Sequence, residues 1–477
     1  MKSKQENRLI FFYFALYLAA ALTIALHQPH FDTPPLFGNP PDEHSRYKVP
    51  LYIEEHGSLP TGFEEELFSG DCRWTYGFYT LLPYMIQGAV MKGVSLFTHS
   101  PLALLYAARM VNVVSGLFMA YLVLLIGRKV FADDKIRWLF CFLVTFLPQS
   151  LFMHTYVNPD SICMLSTALM IYGLLCGYED AFSVKSCVLL TAGMVLCILS
   201  YYNAYGFLVS SFLLFTAYFL KRKEKWTFDW KNFLKKGCPV ALAVILLSGW
   251  SFERNYMLYD GDFIGLRTKE AFIQSYGIAR DTFQSSGYSL GYMLTHTSFV
   301  PKVIISFLGN YGSGTIYMYK IMYAGYLLLF GAAFVGLFIP GEKSEKTPAS
   351  PKTVFLKKTS NVERKAGTDR FHTSFFHINM VFCILMPLIL LLKYAYTVDY
   401  QAQGRYLMPA VIPIMYYLCY GFQKLPFYRK AGARRKNILF TGIMMFVVLA
   451  LLLMIFCNAM PASSFENTGY LFRIDFP

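Results

Sequence analysis

Ionisable side chains in this sequence gather in a few short segments beside long apolar runs. In NPPDEHSRYKVP, Asp42 and Glu43 follow the double proline Pro40–Pro41. A carboxylate stiffened in this way and partly desolvated near a membrane surface is suited to take a proton from a hydroxyl or to hold a metal ion. The plainer alternative is a solvated acidic turn. His44 follows directly. In YQAQGRYLMP, Arg405 stands between Gly404 and Tyr406, with Gln403 just before them. A guanidinium at a membrane boundary offers a planar fork of donors that matches a phosphate; the alternative is an interfacial anchor beside belt aromatics. TYVNPDSI places Asn158 and Asp160 in a turn, read either as polar groups lining a cavity or as a helix start capped by Asp160. Arg109 and Asn112 share one face of an apolar run, and Glu253 and Arg254 close another. Charge inside such runs marks function unless the side chain snorkels to water.

What must position these groups is a membrane domain. Of the 477 residues 55% are hydrophobic and only 15% charged, against roughly 25% charged in soluble domains, and the mean hydropathy is +0.40. Spans need about 20 mostly apolar residues. On that rule the runs 10–26, 102–126, 138–154, 161–177, 186–201, 205–220, 239–256, 316–339, 375–394, 406–422 and 438–457 predict an all-α polytopic membrane protein of about 11 transmembrane helices. The first run lacks a small-residue cleavage pattern and reads as an anchor rather than a signal peptide. The stretch 78–97, broken by Pro83, Gly88, Lys92 and Gly93, is expected to lie in the interface.

With that stretch uncounted, 29 of the 43 basic residues fall on the side of the N-terminus, which the distribution of Lys and Arg then marks as cytoplasmic. Residues 28–101 form the first outer loop, with nine acidic and four basic residues. Residues 257–315 form a second large outer loop, and 341–373 a basic cytoplasmic linker suited to anionic lipid. The whole reads as one polytopic domain over residues 1–457 with an outer tail at 458–477. Asp42, Arg109, Asp160, Arg254 and Arg405 thereby all map to the outer side of a plasma membrane. Nine of the ten cysteines sit in or beside apolar runs and read as small hydrophobes; Cys72 alone is in a hydrophilic loop, and no metal-binding Cys spacing occurs. The outer acidic residues are capable of holding a divalent cation, but no ligand spacing demands one. The sequence has no P-loop, dinucleotide-binding glycine pattern or HExxH, which disfavours nucleotide-driven chemistry; nucleic acid is not an expected partner.

PPDEH at 40–44, VNPDS at 157–161 and QGRYLMP at 403–409 occur in this order on the predicted outer side. With the single anchor, the long outer loop and the AARMVN segment of the second span, this pattern resembles the C-type membrane glycosyltransferase superfamily, and within it the bacterial family filed as domain of unknown function 2142. The immediate succession of Glu43 and His44 departs from the family pattern. The resemblance implies transfer of a sugar from a polyprenyl-phosphate-linked donor to an acceptor on the outer face, with inversion at the anomeric carbon. The acceptor is an envelope glycan, a teichoic-acid-like polymer or a protein. The resemblance further implies that Asp42 is the base, that Glu43 orients it or the donor, and that Arg405 holds the carrier phosphate, with Arg254 and Arg109 as further phosphate ligands. His44, Asn158, Asp160, Gln403 and Tyr406 would line the cavity. A transporter or flippase of a lipid-linked glycan needs the same outward charges, although no internal repeat of the kind common in transporters is visible.

Overall fold

The computed structural model describes residues 2–27, 40–69, 75–222, 225–275, 281–340 and 366–459. Residues 28–39, Cys72, Trp74, most of the 341–373 linker and the tail from 460 lie outside the described residues.

All eleven apolar runs fold as helix, but not all as one unbroken rod. Among the described residues, seven helices are long and apolar enough to cross a membrane. They are α1 (Lys2–His27), α4 (Pro101–Val130), α7 (Asp160–Asp180), α10 (Trp230–Leu258), α14 (Lys320–Leu337), α15 (Ala366–Thr397) and α17 (Ala433–Leu453), the last running on into a π-helical turn, Met454–Ala459. The run 186–201 becomes the 17-residue α8 (Val184–Ser200), and 205–220 the 14-residue α9 (Tyr205–Tyr218).

Two runs are divided by proline. The run 138–154 splits into α5 (Asp134–Phe146) and the five-residue α6 (Pro148–Phe152). Leu147 between them is extended, φ −55° and ψ 123°, because a residue before proline is pushed out of the helical region. The run 406–422 begins as a 3₁₀ turn, Gly404–Ala410, which contains Pro409, and becomes α16 only at Val411–Phe422. Both divisions fall beside the polar motifs.

Within the segment 28–101 the described residues form a cap. They contribute α2 (Glu43–His56) and α3 (Leu82–Ser95). The 14 residues of α3 span about 21 Å, short of the roughly 30 Å of a bilayer core, and α3 packs between α2 and α4. Tyr47, Val49, Leu67, Tyr84, Met91 and Leu105 make a small apolar core beneath this cap, separate from the large core shared by the long helices. The segment 257–315 adds α11 (Leu266–Ser275), α12 (Leu290–His296) and α13 (Phe299–Leu308).

A buried ion pair ties the cap to the helical bundle. Arg109 of α4, with no exposed surface, donates from Nε to Glu43 Oε1 at 2.9 Å and from Nη2 to Oε2 at 2.6 Å. Its Nη1 donates to the Ala25 carbonyl of α1 at 2.7 Å, and the Val157 N–H donates to Glu43 Oε1 at 2.8 Å. One carboxylate and one guanidinium thus fix α1, α2, α4 and the 153–160 turn. Removing one partner of a buried, hydrogen-bonded pair costs about 3–5 kcal/mol, whereas an apolar replacement of both is often close to neutral. Glu43→Ala is therefore expected to lower the thermal unfolding midpoint in detergent sharply, and the Glu43→Leu, Arg109→Met double variant to regain most of the loss. A double variant no more stable than Glu43→Ala would refute this account.

Candidate functional site

Asp42 sits at the N-cap of α2 with a left-handed backbone, φ 60° and ψ 8°, a conformation that Asp and Asn reach more readily than other side-chain-bearing residues. The Arg46 N–H donates to the Asp42 carbonyl at 2.9 Å, so one turn of helix returns Arg46 beneath Asp42. Arg46 Nη2 lies 3.6 Å from Asp42 Oδ2 and Nη1 lies 3.4 Å from Asp160 Oδ2. Its guanidinium also stands 5.1 Å from the centre of the Tyr76 ring.

Arg405 completes the group, donating from Nη2 to Asp42 Oδ2 at 2.9 Å. Its position depends on Gly404, whose N–H donates to Ser306 Oγ at 2.7 Å. A Cβ on Gly404 would come within 2.3 Å of both the Phe307 nitrogen and the Val303 carbonyl oxygen of α13. The glycine is there for close approach.

Two buried arginines and two aspartates therefore share one cluster. Arg46, Arg405 and Asp160 are each more than nine-tenths buried, while the Asp42 side chain is 40% exposed. Burial pushes the Asp42 carboxyl up, but Arg405 and Arg46, together with hydrogen bonds from Arg405 and Tyr76, outweigh it and hold the group at about 2. Donors remain over: Arg405 Nε and Nη1 and Arg46 Nε have no hydrogen-bond partner, and neither does Asp160 Oδ1. Buried polar groups are nearly always paired, so these open donors mark a place for an anion.

Asp42 and Arg46 of the cluster border a cavity of about 500 Å³, whereas Arg405 and Asp160 do not line it. Tyr76 and Tyr406 also line it; Tyr79, Tyr201, Tyr202 and Asn203 form one wall, and Lys269 and Glu270 of α11 another. The C-terminal end of α15 supplies Leu390, Leu391, Lys393 and Tyr394, followed by Asp399 and Gln401. Lys269 donates to the Tyr79 hydroxyl, and Tyr406 donates to Gln401. Hydroxyls, amides and ring faces beside an apolar flank suit a polar, ring-shaped ligand joined to an apolar one.

The other residues singled out in the sequence occupy varied places. Asn158 is fully buried and serves the turn: Nδ2 donates to the Met153 and Tyr156 carbonyls at 3.0 and 2.8 Å, and Oδ1 accepts from the Ser161 N–H at 3.0 Å. The side-chain cap of α7 therefore comes from Asn158 and not from Asp160, which turns to Arg46 instead. Glu43 and Arg109 are spent on each other, and Arg109 does not line the cavity. Arg254 donates to the Pro60 carbonyl at 2.6 Å and holds the segment after α2 against α10, beside a separate shallow pocket. His44 is exposed on α2 and Gln403 is half-buried; neither lines the cavity.

Arg46, the tyrosine wall, Lys269 and Lys393 were not singled out in the sequence. Only Arg46 had a local signal there, its four-residue spacing from Asp42. For a cation, the carboxylate of Asp42 is already shared by two guanidiniums. Among the described residues one group brings three ligand atoms together, Glu55, His56 and Glu66, and all three are exposed.

Residues 48–270 match the model of a family described as predicted membrane protein, domain of unknown function 2142. It is the family that the sequence motifs resemble; VNPDS falls within the matched range, and Asp42 and Arg405 lie outside it. No curated protein matches the chain. Among solved structures it is similar to ArnT from Cupriavidus metallidurans bound to undecaprenyl phosphate, with 11% identity over 96% of this chain and 74% of that one, TM-score 0.49. It is also similar to the oligosaccharyltransferase AglB from Archaeoglobus fulgidus in complex with an inhibitory peptide and a dolichol-phosphate, with 15% identity over 96% of this chain and 56% of that one, TM-score 0.46. This chain thus spans little more than half the length of the archaeal protein. Likeness this remote leaves the functional argument to the side chains of the chain itself.

Gly404→Ala is expected to push the 3₁₀ turn away from α13 at a cost of about 1–3 kcal/mol, read as a lowered unfolding midpoint in detergent. An unchanged midpoint would show that the close approach is not required.

Proposed function

We propose that this chain is a membrane glycosyltransferase that moves a sugar from a polyprenyl-phosphate-linked donor to an acceptor at the outer face of the plasma membrane. The observation that carries the reading is the cluster of a half-open carboxylate and two buried guanidiniums with unpartnered N–H groups, of which Asp42 and Arg46 border the cavity. In the reaction, Asp42 takes the proton of an acceptor hydroxyl as its oxygen attacks the anomeric carbon. The bond from that carbon to the phosphate oxygen breaks, and polyprenyl phosphate leaves as an anion. A leaving anion needs charge stabilisation more than protonation, which the open donors of Arg405 and Arg46 supply. Attack from the face opposite the phosphate inverts the anomeric carbon. The tyrosine wall offers ring faces to the sugar, and Leu390 and Leu391 offer apolar surface to the first isoprene units.

In this reading Asp42 is the catalytic base and Arg405 and Arg46 the phosphate ligands. Glu43 and Arg109 serve the reaction at one remove, by holding the start of α2, and Arg254 holds the loop. Asp160 keeps Arg46 in place. The acceptor is an envelope glycan, a teichoic-acid-like polymer or a protein, and a divalent cation is not needed for the steps written here.

General-base catalysis is worth about 10²–10⁴-fold, so Asp42→Asn is expected to reduce transfer by that factor while the protein remains inserted and folded. The check is linkage analysis of envelope glycans in cells lacking the protein, complemented with wild type or Asp42→Asn at equal membrane abundance. Loss of one sugar branch that wild type alone restores, with accumulation of its lipid-linked donor, is the expected result. Equal restoration by Asp42→Asn would remove Asp42 from the chemistry.

A further inference from the structure

An efficient general base has an affinity for protons matched to its working pH, and Asp42 in the donor-free protein does not. Its Oδ2 is shared between Arg405 Nη2 at 2.9 Å and Arg46 Nη2 at 3.6 Å, and the Tyr76 hydroxyl adds a further hydrogen bond. The charged and titratable groups around it are Arg46 of α2, Tyr76, Tyr84 of α3, Tyr156, Asp160 of α7, and Arg405 and Tyr406 of the 3₁₀ turn. Two aspartates and two arginines balance to zero. An anion entering the open donors makes the cluster negative, and one carboxylate must then lose its claim on a guanidinium.

Burial decides which one yields. Asp160 is 2% exposed and its one ion pair among the described residues is with Arg46, while the Asp42 side chain is 40% exposed and borders the cavity. Asp160 also stands in the first turn of α7, where the helix dipole favours a negative charge. Releasing Asp160 would strand a charge in a dry site; releasing Asp42 turns it toward the cavity.

We infer that Asp42 is masked by Arg405 and Arg46 until the donor's phosphate engages those two arginines, so that donor binding itself creates the base and must precede productive acceptor binding. This rests on the reading of the cluster as the donor-phosphate site. It assigns Asp160 the work of a positioning residue, the counter-charge that retains Arg46 so that Asp42 is the carboxylate set free. A masked base also keeps the donor-free cavity from activating an acceptor hydroxyl with nothing to attack.

The test reads the proton on Asp42 directly. The full chain in lipid nanodiscs, with ¹³C-carboxyl-labelled aspartate, is titrated by infrared difference spectroscopy with and without undecaprenyl phosphate. The Asp42 band is assigned by its loss in Asp42→Asn, and lipid retention is followed by native mass spectrometry. The expected result is a protonation midpoint at least one pH unit higher with the lipid bound, which is about a tenfold change in proton affinity. Retention of the lipid with an unmoved or lowered midpoint would overturn the masking and leave the phosphate site standing. Failure of the wild-type protein to retain the lipid, while Asp42 titrates as before, would overturn both.

Discussion

The pairing of Glu43 with Arg109 is the interaction on which the rest of this structure depends. A charged pair with essentially no solvent contact has a large desolvation cost, and it survives only because each oxygen and each donor in use has a well-placed partner. Those partners come from α1, α4 and the turn before α7, so the pair can form only when all three are in place. The cap formed by α2 and α3 shares a small apolar core with α4, through Leu104, Leu105, Ala107 and Ala108. The ion pair adds a directional tie at the start of α2 and fixes the residue immediately before Glu43.

That residue is Asp42, and the contrast between these neighbours is the central fact of the site. Two successive carboxylates, one peptide bond apart, meet opposite environments: one is buried and saturated, the other borders a cavity and shares its guanidiniums with open donors. Environment assigns roles that residue type alone cannot. The same holds for the arginines. Arg109 and Arg254 are committed to protein acceptors, while Arg46 and Arg405 retain donors to offer. The capacity to bind an anion is therefore a matter of what each guanidinium lacks.

Much of this was legible in the sequence. Apolar runs with few charges made the helices visible, and the distribution of Lys and Arg put the polar motifs on one side. The breaks at Leu147–Pro148 and in the turn containing Pro409 were also available, since proline acts on the residue before it; a hydropathy window averages over them. Arg46 has a local partner in Asp42, four residues before it, but its second partner, Asp160, is 114 residues away, and nothing in the local sequence announces that pair. Asn158 and Asp160 compete for one capping role within a single turn, and only tertiary contact with Arg46 decides between them. Pairings between distant segments are set by packing, which a linear pattern does not encode.

The left-handed backbone at residue 42 restricts what can stand there. Glycine, asparagine and aspartate accept this conformation at little cost; other side chains meet steric resistance. Of these three, one has no side chain and one has a neutral amide. The fold narrows the choice to a small set, and the proposed role as a base selects a single member of it. Conformation and chemistry thus converge on aspartate from independent directions. A chain that has abandoned the chemistry while keeping the fold would bear asparagine or glycine at this position, and its silence would be readable from one residue.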